Sequence, residues 1–290
     1  MMSTFNFNRF LQALKCRILV ERKAWIRLFA IYTLVVFMAD LFFTRVGAAS
    51  YSDIADHFSA DELYYTYYHY VEMSCVFGLV FFNFAMLFGA SSMFSQMKDT
   101  RSRSAYLLWP VSNLEKYVVG LLLSIGLTMV LTIGAVVLAD ALRVLIDWVT
   151  GRIVIWGIAI PFAGEKVSSN SVFEYWQLLW MVLAWTFYFH SLYIVGGTLF
   201  RRHQFLFTSG TIVVVGILLT MLLKQVDWPN SGIELVSGTW DEATHTYTKI
   251  FYPSFYIVHA VLTLLIPFHY WASFKLFCRM QVINNKWLNV

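Results

Sequence analysis

Six apolar stretches, each roughly 20 residues long, dominate this chain, and that is the length a helix needs to cross the hydrocarbon of a bilayer. They lie near 25–44, 70–94, 117–139, 174–200, 205–223 and 252–276. The first reads "WIRLFAIYTLVVFMADLFFT" and the third "YVVGLLLSIGLTMVLTIGAVVLA". Only "RRHQ" separates the fourth from the fifth, which predicts a tight helical hairpin. In lipid every backbone N–H and C=O needs a partner inside the protein, so such stretches form helices. Composition agrees: 59% of residues are hydrophobic and 13% charged, against about a quarter charged in soluble domains. The expected fold is an all-α six-transmembrane-helix bundle forming one domain over residues 1–290.

Orientation follows from the basic residues, which favour cytoplasmic segments. With the N-terminus inside, that face receives Arg9, Lys15, Arg17, Arg22, Lys23, Arg27, Lys98, Arg101, Arg103, Lys116, Arg201, Arg202, Lys275, Arg279 and Lys286. It holds only Glu21, Asp99 and Glu115 among the acids, whereas Asp53, Asp56, Asp61, Glu62, Asp147, Glu165, Asp227, Glu234, Asp241 and Glu242 fall outside. Both termini are therefore expected to be cytoplasmic. The N-terminus "MMSTFNFNRF" lacks the apolar core and cleavage site of a signal peptide, so the first span is expected to remain in the mature protein. Cys16, Cys75 and Cys278 are few, odd in number and far apart, and imply no disulfide framework.

Between residues 6 and 24, Phe7, Phe10, Leu11, Leu14 and Ile18 recur at helical spacing, with Arg9, Gln12, Lys15 and Glu21 elsewhere around the turn. That pattern predicts an interfacial helix lying on membrane lipids, apolar side down. Three segments are expected outside: 45–69, acidic and then tyrosine-rich; 140–173, with the short apolar run "IVIWGIAIPFAG"; and 224–251, a polar stretch rich in turn formers that predicts a small hairpin.

The chain carries no G-x-x-x-x-G-K-[ST] loop for cradling phosphates and no H-E-x-x-H metal motif. His190 and His203, read as a pair on one helix, do not match the spacing of His259 and His269, so a stacked-haem arrangement is not expected. Asn83 and His190 fall near mid-membrane, where they read as interhelical contacts or as the lining of a polar pathway. Asp40 and Glu72 lie toward the outer ends of their helices, within reach of water or of Arg45. Small residues in Gly89-Ala90-Ser91-Ser92, Gly120, Ser124 and Gly196-Gly197 predict close helix packing.

The inner connection between spans two and three, "QMKDTRSRSAYLLWPVSNLEKY", is the most ordered-looking polar segment. Arg101 and Arg103 supply charge; Tyr106, Leu107, Leu108 and Trp109 form an apolar run ended by Pro110. Ser112 and Glu115 then match S-x-x-E, a capping box that starts the third span at about Asn113. "SRSAYLLW" is predicted to form a short helix, usable as a docking element for a soluble partner.

Three pieces, "FNFNRFLQALK", "YLLWPVSNLEKYVVG" and "GGTLFRRHQFLFT", cover about 40 of the 290 residues and resemble the permease subunits of bacterial ABC-2-type transporters. The resemblance implies a non-enzymatic subunit of the bacterial cytoplasmic (inner) membrane. It implies a second permease, identical or homologous, and separate ABC ATPase subunits that carry the ATP and Mg; the chain itself would hold no cofactor or metal, and no nucleic-acid partner is implied. In that family the connection between spans two and three is a coupling helix. Here that role falls on about 102–117, giving Arg101, Arg103, Tyr106, Leu107, Leu108, Trp109, Ser112 and Glu115 as ATPase-docking residues. Residues 6–24, with Phe7, Phe10, Leu14 and Lys15, resemble its elbow helix. The chain departs from the family in placing its apolar excursion at 140–173 rather than before the last span. Two other readings are a non-transporting scaffold or sensor and an intramembrane enzyme built on Asp40, Glu72 or His190.

Overall fold

The structure, a computed structural model, describes residues 5–47, 60–97, 100–162, 172–200, 203–223, 235–241 and 246–279. The stretches 1–4, 48–59, 163–171, 224–234, 242–245 and 280–290, together with Lys98, Asp99, Arg201 and Arg202, lie outside the described residues. Long helices account for nearly all of the rest. They are α1 (Phe7–Leu41), α2 (Ala60–Ser92), α3 (Thr100–Leu107), α4 (Asn113–Leu122), α5 (Thr128–Val149), α6 (Val172–Leu199), α7 (Gln204–Leu223) and α8 (Pro253–Arg279). A π-helical turn, Leu123–Leu127, joins α4 to α5, so 113–149 forms a single span. Six helical segments are long and apolar enough to cross a membrane, as the sequence pattern requires.

Some boundaries differ from the sequence reading. The interfacial segment 6–24 and the first span form one uninterrupted helix through Leu41, about 50 Å long at 1.5 Å per residue. Within its first turns Phe10 is buried and Leu14 half-buried, while Phe7, Leu11, Lys15 and Ile18 are exposed. The third span does not stop at 139 but runs to Val149, because its charged residues neutralise one another on one helical face. Part of 224–251 forms the expected hairpin: β1 (Val236–Asp241) pairs antiparallel with β2 (Thr246–Phe251), Val236 opposite Phe251 and Asp241 opposite Thr246.

The chain divides into two compact units. The first comprises residues 1–10, 87–124 and 166–290. In it α6 and α8 run parallel: Trp180 Nε1 donates to Thr263 Oγ1 (3.2 Å), and further along His190 Nδ1 lies 2.9 Å from Tyr270 Oη. Two parallel helices with one helix between them in sequence require that helix, α7, to traverse the same distance backwards. It does so as an antiparallel hairpin, with Tyr193 Oη 2.6 Å from Ser209 Oγ. Gly196 permits the approach, because a Cβ there would collide with Thr208. A Cβ on Gly197 would lie 3.2 Å from Phe94, with the Ala90 and Ser91 carbonyls just behind. The small residues thus act as packing sites. His203, in the turn, takes the left-handed conformation (φ 50°), so it is not on the helix of His190.

One end of this unit collects several helix ends around a core of Met93, Phe94, Met97, Tyr106, Tyr117, Tyr193, Ile194 and Phe277. Phe94 and Phe277 rings are 5.7 Å apart, and Tyr117 meets Phe274 edge-on at 5.3 Å. Tyr117 Oη donates to the Tyr270 carbonyl at 2.9 Å. The end of α2, the start of α4, the end of α6 and the end of α8 therefore share one side.

The second unit comprises residues 11–86 and 125–165. Its apolar centre is Tyr32, Ala85 and Ala135, with Tyr32 edge-on to Phe81 at 5.2 Å. Gly134 gives Phe29 room to pack, a Cβ there lying 3.3 Å from the ring.

Replacing Gly196 by Ala should lower stability by about 1–3 kcal/mol, the usual penalty of overpacking. Adding Thr208→Ala should restore only part of it, since Thr208 Cβ is itself too close. Thermal unfolding of the two purified variants in detergent, followed by tryptophan fluorescence, measures both.

Candidate functional site

The connection from α2 to α4 is built by local hydrogen bonding. After α2, the 3-10 turn Ser95–Met97 ends at a carbonyl that accepts from Arg103 Nε (3.2 Å) and Nη2 (3.1 Å). α3 follows, and its last carbonyl, that of Leu107, accepts from Lys116 Nζ at 2.8 Å. A cation at a helix C-terminus is favourable both as a donor to an orphan carbonyl and against the helix dipole. Pro110 prevents α3 from continuing. Ser112 then adopts extended backbone (φ −64°, ψ 153°) and caps α4, its Oγ accepting from Glu115 N at 3.2 Å.

Glu115 completes that capping box and does more. Its Oε2 accepts from Ser112 N (2.9 Å) and Arg9 Nε (2.8 Å); its Oε1 accepts from Arg9 Nη2 (2.7 Å) and Asn6 N (2.7 Å). Asn6 is in turn the cap of α1, its Oδ1 accepting from Asn8 N (3.0 Å) and Arg9 N (3.2 Å). One carboxylate, 0% exposed, thus closes the N-termini of two helices and holds a bidentate guanidinium. Negative charge at two positive helix ends is the favourable sign, and four charge-assisted donors compensate the carboxylate for its lost water.

The eight residues expected in a docking element divide by burial. Arg101 is exposed and Leu108 is 76% exposed, whereas Arg103, Tyr106 and Glu115 are buried; Leu107, Trp109 and Ser112 are intermediate. Tyr106 belongs to the core, and Leu107 and Trp109 pack against it, so these side chains fix α3 in place and leave Arg101 and Leu108 as its outer face.

Asn83 is half-buried and donates to the Leu79 carbonyl at 2.9 Å within its own helix, while the wholly buried His190 joins α6 to Tyr270 of α8. Asp40 does not pair with Arg45. Its Oδ1 accepts from Ser74 Oγ at 2.6 Å, and Arg45 goes to Asp147. Glu72, half-exposed, lies 3.5 Å from His69. Asp40, Glu72 and His190 each have separate partners, and among the described residues no group of three or more His, Cys, Asp or Glu could hold a metal ion.

The second unit contains a polar centre that the sequence reading missed. Arg143 is fully buried. Its Nη2 donates to Asp140 Oδ1 (2.5 Å) and the Ile155 carbonyl (2.6 Å), its Nη1 to Asp147 Oδ2 (2.8 Å). Asp147 also accepts from Tyr67 Oη (2.5 Å) and Arg45 Nη2 (2.6 Å). Asp140 accepts in addition from Gly157 N and Ile158 N, both at 3.2 Å. Gly157 is needed there, since a Cβ would sit 3.1 Å from Asp140 Oδ1. The signal was present: in "ADALRVLID" the three charges are three and four residues apart, one face of a helix. Placing 140 onward in a loop hid it.

No protein-family model matches the chain, and neither a curated protein nor a solved structure matches it.

Arg143→Met should destabilise the protein by about 3–5 kcal/mol, because it strands buried carboxylates. Adding Asp140→Asn and Asp147→Asn should recover much of that loss. Urea or thermal unfolding of the single and triple variants tests the difference.

Proposed function

We propose that this chain is the membrane-spanning subunit of an ABC transporter, moving a substrate across a bacterial cytoplasmic membrane with ATP hydrolysed in a separate subunit. The observation that carries the reading is α3. It is a short helix between the second and third spans, anchored at its start by Arg103 on the Met97 carbonyl and at its end by Lys116 on the Leu107 carbonyl. Its outer surface presents an arginine and a bare leucine, Arg101 and Leu108. A rigid, basic and apolar knob suits a groove in a soluble motor, and the chain has no phosphate-cradling loop of its own.

In this reading α3 is the coupling helix and the first turns of α1 the elbow. Closure of paired ATPase subunits, with their ATP and Mg, pushes α3. The push reaches the spans because α3 is tied to α4 by hydrogen bonds rather than by loose chain. A second permease, identical or homologous, completes the assembly. No catalytic side chain is assigned here, and transport is the work of helix displacement.

The test is co-purification from native membranes. Leu108→Glu changes an exposed side chain, so the fold should persist. ATPase activity recovered with the purified chain should fall about tenfold or more, as for loss of an interface hot spot. Wild-type chain that recovers no ATPase, or a Leu108→Glu chain that recovers it fully, contradicts the proposal.

A further inference from the structure

We infer that the adjacent residues Glu115 and Lys116 form a junction that holds three helix ends as one body, so that α3, α4 and the first turn of α1 move together. The inference rests on the transporter reading for its use, but not for its geometry.

The physical basis is the complementarity of sign at each end. Helix N-termini carry unpaired N–H groups and partial positive charge; C-termini carry unpaired carbonyls and partial negative charge. At the start of α4 the chain places an acid and then a base. Glu115 takes the N-termini: Ser112 N of its own helix and Asn6 N of α1, with Arg9 bound to both oxygens. Lys116 takes the C-terminus, the Leu107 carbonyl of α3. An ordinary capping box serves one helix. Here the same carboxylate is shared with a segment far away in sequence, and its neighbour clamps a third element.

Burial makes the arrangement stiff. Glu115 and Lys116 are both buried, and a buried charge that loses a partner is left with an uncompensated desolvation penalty. Separating any one helix end from the junction therefore exposes the rest to that penalty. Glu115 and Lys116 are positioning residues: they touch no substrate, and they decide which helices a push on α3 reaches. The first helix of the membrane domain is reached through Asn6 and Arg9, without passing along the backbone of α2.

Hydrogen–deuterium exchange on the full-length chain in detergent separates this from three independent local caps. The segments to follow are 5–12, 100–109 and 112–120. In Arg9→Gln the capping box of α4 is left intact, yet exchange should rise about tenfold in 5–12 and also in 100–109, the effect expected for losing a charged hydrogen bond. Lys116→Met should accelerate 100–109 and, across the junction, 5–12. If each substitution alters only the segment it directly contacts, the junction does not exist. Glu115→Gln should accelerate all three segments; a change confined to 112–120 would again reduce Glu115 to an ordinary cap. A cross-segment response in a chain that recovers no ATPase removes the transporter reading and leaves the junction in place.

Discussion

The Glu115 carboxylate is the interaction on which one end of the first unit depends. Most other contacts there are apolar and without direction; Tyr117 Oη on the Tyr270 carbonyl adds a second long-range hydrogen bond. Tyr106, Phe94 and Phe277 fill space, and non-directional contacts of that kind tolerate sliding. The four hydrogen bonds to Glu115 do not, because each fixes a donor to within a few tenths of an ångström. That one residue brings Asn6 beside Ser112 and sets where the first and third spans begin. Lys116 extends the same control to the short helix between the second and third.

A different solution operates in the second unit. Its charges are not caps but a closed ion cluster, with Arg143 between Asp140 and Asp147 and with Arg45 and Tyr67 completing Asp147. In a low-dielectric surrounding an isolated member would be prohibitive. Together they let a polar helix end continue to Val149 and pin the 155–158 backbone against it. Close helix packing elsewhere relies on glycine, at 196 and 197 in one unit and at 134 in the other. This is what is expected where lipid removes the hydrophobic drive for helices to associate.

Much of this was legible in the sequence, for identifiable reasons. Six spans follow from length and hydropathy alone. The Ser112–Glu115 box fixed the start of α4 because capping is local chemistry. The short α3 and the 236–251 hairpin were readable from turn and breaker residues. What escaped was long-range or depended on the right local frame. Nothing in "FNFNRF" announces that Asn6 and Arg9 will share the carboxylate of residue 115. Asp40 was read as within reach of water or of Arg45, but Arg45 goes to the wholly buried Asp147, donating to Oδ1 while Tyr67 and Arg143 donate to Oδ2. That Tyr106 and Trp109, read as part of a docking element, pack with the core was not legible either, since eight residues of helix leave the sidedness open until Met97 and Phe277 are in place.

The proposed function makes α3 the face that a nucleotide-hydrolysing partner meets. Photo-crosslinking from a benzoylphenylalanine placed at position 108, in native membranes, reads that contact directly. The account predicts a cross-linked protein whose sequence carries a G-x-x-x-x-G-K-[ST] loop. Cross-links only to lipid, or to proteins without such a loop, would contradict it.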